Sequence, residues 1–186
     1  MEADWWVEVG ADLPTIVVPW EGFVDLRRNP LLINKIEEAV ITPELAQALT
    51  RLNQKSSPVF TSKCDFWLLS AEEIDPLEFD AEREEVEQGI SCYIDIIVGN
   101  TQLFSSFQAH ETWVRSVTQE IRQAKLRQAR VEFVIRAANV AGCEGYAVTL
   151  YVASCGDTET VARSVFHTAL ETAVTITMKL AATTGE

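Results

Sequence analysis

Residues 90–98 alternate without a break: Ile90, Cys92, Ile94, Ile96 and Val98 share one face, and Ser91, Tyr93, Asp95 and Ile97 share the other. Side chains on a strand point to opposite faces with a period of two, so this run specifies a strand whose apolar face must be roofed. The roof follows in the sequence. After Gly99-Asn100, the residues Leu103, Phe107, His110, Val114, Val117, Ile121 and Ala124 recur at steps of three and four, which predicts a helix of about six turns over 103–124. Two further alternating runs, Val131, Phe133, Ile135, Ala137 and then Tyr146, Val148, Leu150, Val152, predict a hairpin through the Gly-containing loop 141–145. Gly156-Asp157 then opens a last helix through about residue 181, with Val161, Val165, Ala169, Ala173, Ile176 and Leu180 in its apolar face.

This order predicts an α+β two-layer sandwich: a mainly antiparallel sheet of about four strands with two long helices on one face. The fourth strand is the β-branched and aromatic run 59–69. The connectivity is then analogous to a ferredoxin-like arrangement without its closing strand, an analogy that carries no function. A length of 186 residues suits one domain. Residues 1–58 read as an N-terminal arm and helical hairpin, and 59–186 as the α+β core, interrupted by an exposed acidic segment at 70–87. In the arm, Ile16-Val17-Val18 between prolines reads as an edge strand, and Asn29-Pro30 and Thr42-Pro43-Glu44 predict helices over 30–40 and 43–53.

Twenty-eight acids against fifteen Lys and Arg give a net charge of −13, which repels phosphate backbones and anionic lipid. Nucleic acid and membrane are therefore not expected partners. No stretch has the apolar length of a membrane span, and Met1-Glu2-Ala3-Asp4 lacks the basic and apolar regions of a secretory signal. The four cysteines, Cys64, Cys92, Cys143 and Cys155, fall in no C-x-x-C pair, so reduced thiols in a cytoplasmic protein are expected. No zinc-type spacing, EF-hand loop, phosphate-binding glycine motif or G-x-S-x-G occurs, so neither metal nor cofactor is expected.

Three catalytic candidates remain. His110, on the apolar stripe beside Glu111, has the residue type for a general base if it lines an open pocket. Cys155 precedes a helix start, where amide N–H groups favour a thiolate. The ordinary readings are a core histidine and a small apolar residue at a strand end. A binding site is the other expectation: the sheet face opposite the helices carries Tyr93, Asp95, Arg136 and Tyr151, two rings and two opposite charges able to orient a small polar molecule. The ordinary alternative there is a cross-strand Asp95–Arg136 salt bridge.

With no catalytic motif, the sequence favours a non-catalytic interaction module acting as a homodimer. It uses the open sheet face or the tryptophan-rich arm, with a basic protein partner for segment 70–87. The alternatives are a small-ligand binder on the open face and a small hydrolase or isomerase using His110.

Overall fold

A computed structural model describes residues 1–183. Its centre is an antiparallel unit of β3 (Val59–Ser70), β4 (Gln88–Val98), β6 (Cys143–Gly156) and β5 (Ala129–Val140), in that spatial order. The sheet does not stop there. β1 (Glu2–Glu8) and β2 (Ile16–Val18) both pair parallel with β5, one after the other along its outer edge. The expected four-stranded, mainly antiparallel sheet is therefore corrected to a six-stranded mixed sheet in an α+β protein. The signal missed is at the N-terminus, where Ala3, Trp5 and Val7 alternate with Asp4, Trp6 and Glu8 over seven residues rich in strand-forming side chains. Their acids disguise a strand as a solvated tail.

The ferredoxin-like analogy is corrected with it. The strand expected over 59–69 does join as β3, which precedes β4 in the chain and pairs antiparallel with it. The sheet gains its extra strands on the opposite side, at β5.

Helices α4 (Phe107–Arg122) and α5 (Glu159–Thr183) lie against each other on one sheet face. Cys92, Ile94, Ile96, Val131, Phe133, Ile135, Val148, Leu150 and Val152 are all buried there with Val114, Val117, Ile121, Phe166, Ala169 and Ala173. At about 25 cal/mol per Å² of apolar surface removed from water, this layer supplies most of the driving force for folding. The long helix expected over 103–124 is two: α3 (Thr101–Ser105) and α4, broken at Ser106. Ser106 is extended (φ −109°, ψ 111°), and its hydroxyl accepts from Ala109 N, capping α4. A serine that bonds the backbone in a non-helical conformation ends a helix that the apolar stripe alone would continue.

The helix expected over 30–40 likewise splits into a 3-10 turn, Pro30–Lys35, and α1 (Glu37–Ile41), because Ile36 is extended. Together with α2 (Pro43–Leu52) these pack beside β3 and α5. At the end of α2, Asn53 is buried; its amide donates to Thr61 Oγ1 at 2.7 Å and its carbonyl accepts from Thr61 N at 3.0 Å. One side chain thereby takes over part of the backbone bonding of β3, and immediately afterwards the β3–β4 register slips between Thr61 and Cys64. Ser62 and Lys63 form the resulting bulge.

Candidate functional site

The sheet face away from α4 and α5 is covered at both ends and open between. At one end, β2 and the chain after it reach across to β3. At the other, segment 70–87 folds back onto the sheet, burying Ile74, Phe79 and Val86 against Cys155, with Leu69 and Ala153 beside them. The segment expected to be an exposed acidic connection is thus anchored by a small apolar cluster. Its acids are partly neutralised within the chain: Arg130 pairs with Glu78, and Arg127 pairs with Glu85 at 3.0 Å.

Between these covers runs a groove. Tyr93, Asp95, Arg136 and Tyr151, the four residues named from the strand pattern, all line one cavity of about 290 Å³, together with Ser62, Lys63 and Thr149. The far wall is the arm, Pro14 to Val17. An adjoining cavity of about 460 Å³ shares Ser62, Lys63 and Tyr93 with the first and adds Trp20, Val24, Ile36, Leu49 and Cys64. The second is of the size that small-molecule sites have. The β3 bulge matters here because it delivers Ser62 and Lys63 to the junction of the two cavities.

The electrostatics differ from a simple salt bridge. Asp95 is 7% exposed and accepts a 2.7 Å hydrogen bond from Thr149 Oγ1. Arg136 does not pair with it; its Nη2 contacts Glu8 of β1 at 2.8 Å and reaches Tyr151 Oη at 3.4 Å. The cross-strand Asp95–Arg136 pair considered from the sequence is replaced because β1, parallel to β5, places Glu8 opposite Arg136. Burial pushes the Asp95 carboxyl above the ordinary aspartate value, opposed by the Thr149 bond and by the positive fields of Arg136 and Lys63. Tyr93 is held up at about 12, first by burial and then by the neighbouring Asp95. Arg136 Nε, Ser62 Oγ and Trp20 Nε1 are buried with no hydrogen-bond partner among the described residues. Three orphaned groups around one groove are uncommon, since buried polar atoms are normally satisfied.

A row of rings crosses the sheet beside the groove. Trp67, Tyr93 and Tyr151 follow one another across β3, β4 and β6, with ring centroids 6.5 and 5.9 Å apart. Lys63 Nζ stands 5.1 Å from the centre of the Trp20 ring. Sequence reasoning missed Lys63, Ser62, Thr149 and Trp20 as site residues. Thr149 was legible from the strand alternation, whereas the bulge that presents Ser62 and Lys63 has no signature in the run 59–69.

The catalytic candidates lie elsewhere. His110 is wholly buried; its Nδ1 is 3.1 Å from Ser106 O, which assigns the proton to Nδ1, and Trp113 and Tyr146 cover the ring. Burial lowers its pKa below the ordinary 6.5. Glu111, adjacent in sequence, is turned to the surface and pairs with Arg115 at 2.9 Å. Cys155 is buried in the satellite cluster, and burial raises its thiol to about 11, which opposes a nucleophilic role. Among the described residues, no group of three or more His, Cys, Asp or Glu side chains is placed to hold a metal ion. Among the described residues, no helix is long and apolar enough to cross a membrane. Comparison with family models, with curated proteins and with solved structures gives no match.

Proposed function

We propose that this protein is a non-catalytic binding protein whose ligand is a small molecule held in the groove on the open sheet face. The observation that carries the reading is the convergence of Tyr93, Asp95, Arg136 and Tyr151 on one cavity, beside buried polar groups that lack partners. The rings supply contact area, and the charged groups supply orientation.

The enzyme reading has no comparable support, because His110 and Cys155 are buried apart from each other and Glu111 is turned away to the surface. The test is ligand-observed NMR with a set of small polar and amphiphilic fragments on the wild type and on Arg136→Ala and Tyr93→Ala, each checked for fold by circular dichroism. Hits that vanish in both folded variants support the groove. Hits that persist in both, or a wild type that binds nothing in the set, refute it.

A further inference from the structure

The groove holds opposite charges that do not touch. Asp95 enters no ion pair among the described residues, although Arg136 and Lys63 both lie close enough to bias its charge. Lys63 likewise enters none; its ammonium rests near the Trp20 ring. Arg136 is tied to Glu8 through Nη2 alone, which leaves the rest of its guanidinium unengaged by an acid. Asp95, the one buried charge of the three without an ion partner, would normally draw Arg136 or the exposed Lys63 into contact, because burying an unpaired charge is costly. The sheet prevents this. Asp95 is fixed on β4 by its bond to Thr149, Arg136 is drawn toward β1 by Glu8, and Lys63 is carried on the bulge of β3.

We infer that the ligand is itself a zwitterion: an α-amino acid with a large apolar side chain, its ammonium on Asp95 and its carboxylate between Lys63 and Arg136. This rests on the groove reading and adds the ligand's class. An ammonium beside Asp95 also sits near Tyr93 and Tyr151, whose ring faces favour a cation. The carboxylate meets the two cations. From that junction the side chain enters the adjoining cavity, where Trp20, Val24, Ile36 and Leu49 supply apolar contact and Lys35, Glu37 and Glu38 form the charged remainder of the lining. A simple anion would face the buried Asp95 carboxylate unopposed, and a simple amine would face Lys63 and Arg136. Only a molecule with both charges a few bonds apart meets each pole with its opposite. The net charge of the protein, −13, also argues against an anionic ligand.

The experiment is isothermal titration calorimetry of the full chain with L-phenylalanine, L-leucine and L-methionine, and with two half-ligands, 3-phenylpropionate and phenethylamine. The expected result is that at least one amino acid binds. Each half-ligand should bind at least about tenfold more weakly than phenylalanine, the loss that follows from removing a hydrogen bond to a charged group. Asp95→Asn should weaken the amino acid by at least about tenfold and leave 3-phenylpropionate unchanged or tighter, while Lys63→Met should weaken 3-phenylpropionate. A half-ligand that binds as tightly as phenylalanine overturns the inference, as does failure of all three amino acids to bind. If the amino acids fail while the fragment screen gives groove-dependent hits, the ligand class is wrong and the groove stands. If both fail, the groove reading falls with it.

Discussion

Replacing Thr149 by valine isolates the one hydrogen bond that holds the buried carboxylate of the groove. Thr149 is 2% exposed and Asp95 7%, so water replaces the lost hydroxyl only in part. Valine nearly matches the shape of threonine, so no cavity opens, and the effect is electrostatic. At 2.7 Å the Thr149–Asp95 contact has the length of a charge-assisted bond. Loss of a hydrogen bond to a charged group costs about 1.5–3 kcal/mol. In a domain of this size each kcal/mol moves Tm by about 2–4 °C, so the variant should melt about 3–12 °C below wild type at pH 7.

The same bond predicts a pH dependence with a definite sign. Asp95 titrates above the ordinary 3.8 in the folded state, so the folded protein binds its proton more readily than the unfolded chain does. The Asp95 contribution to stability therefore falls as pH rises from the ordinary aspartate range through its raised folded value, and is flat above it. Thr149→Val removes a bond that favours the charged form, which raises Asp95 further and deepens that fall. Near pH 4, where Asp95 is increasingly protonated, the variant should lose only a neutral hydrogen bond, about 0.5–1.5 kcal/mol. Urea denaturation at several pH values measures this directly. Adding Asp95→Asn should remove most of the pH-dependent part. A Tm within about 2 °C of wild type at pH 7, less than one kcal/mol on this scale, would refute the reasoning. So would a deficit of equal size at pH 7 and pH 4.

A methyl group at Gly145 would stand 2.5 Å from the carbonyl oxygen of Phe104, so α3 must shift on β6; Gly145→Ala should cost about 1–3 kcal/mol. Gly10→Ala, whose methyl would only touch Leu13 at 3.5 Å, is the control and should leave Tm nearly unchanged in the same calorimetric scan. Thiol labelling of the native protein at pH 8 should modify Cys143 first, because it alone among the four cysteines is exposed. Half-buried Cys64, its thiol pushed up to about 12, should follow more slowly, and Cys155, raised by burial to about 11, only on unfolding; equal rates by mass spectrometry would contradict the packing.

What the sequence makes legible follows from what is periodic. The alternation of Ile90 to Val98 and of Val131 to Val152 places three strands and sorts their faces, and the open-face residues Tyr93, Asp95, Arg136 and Tyr151 come together for that reason alone. Where a local bond overrides the period, the reading fails. Ser106 breaks the stripe that runs from Leu103 to Ala124, and Ile36 interrupts the one that runs from Leu32 to Val40. Pairing between distant segments is less visible still. Nothing near Arg136 announces that Glu8 will lie beside it, so the sequence offers Asp95 as its partner and the parallel strand β1 supplies another. The bulge at Ser62 and Lys63 depends on Asn53 reaching Thr61, a tertiary contact with no period at all.

The parallel pairing of β1 with β5 has a kinetic meaning. Arg122, near the end of α4, holds the carbonyl of Ala3, 119 residues earlier in the chain. During synthesis, Trp5 and Trp6 leave the ribosome well before β5 exists, so the strand made first is docked among the last. Contacts this distant slow folding, and until β1 docks they leave an unpaired edge on β5 and two indole rings in water. A nascent or partly opened chain is therefore most vulnerable to mispairing at the edge where Glu8 reaches the groove.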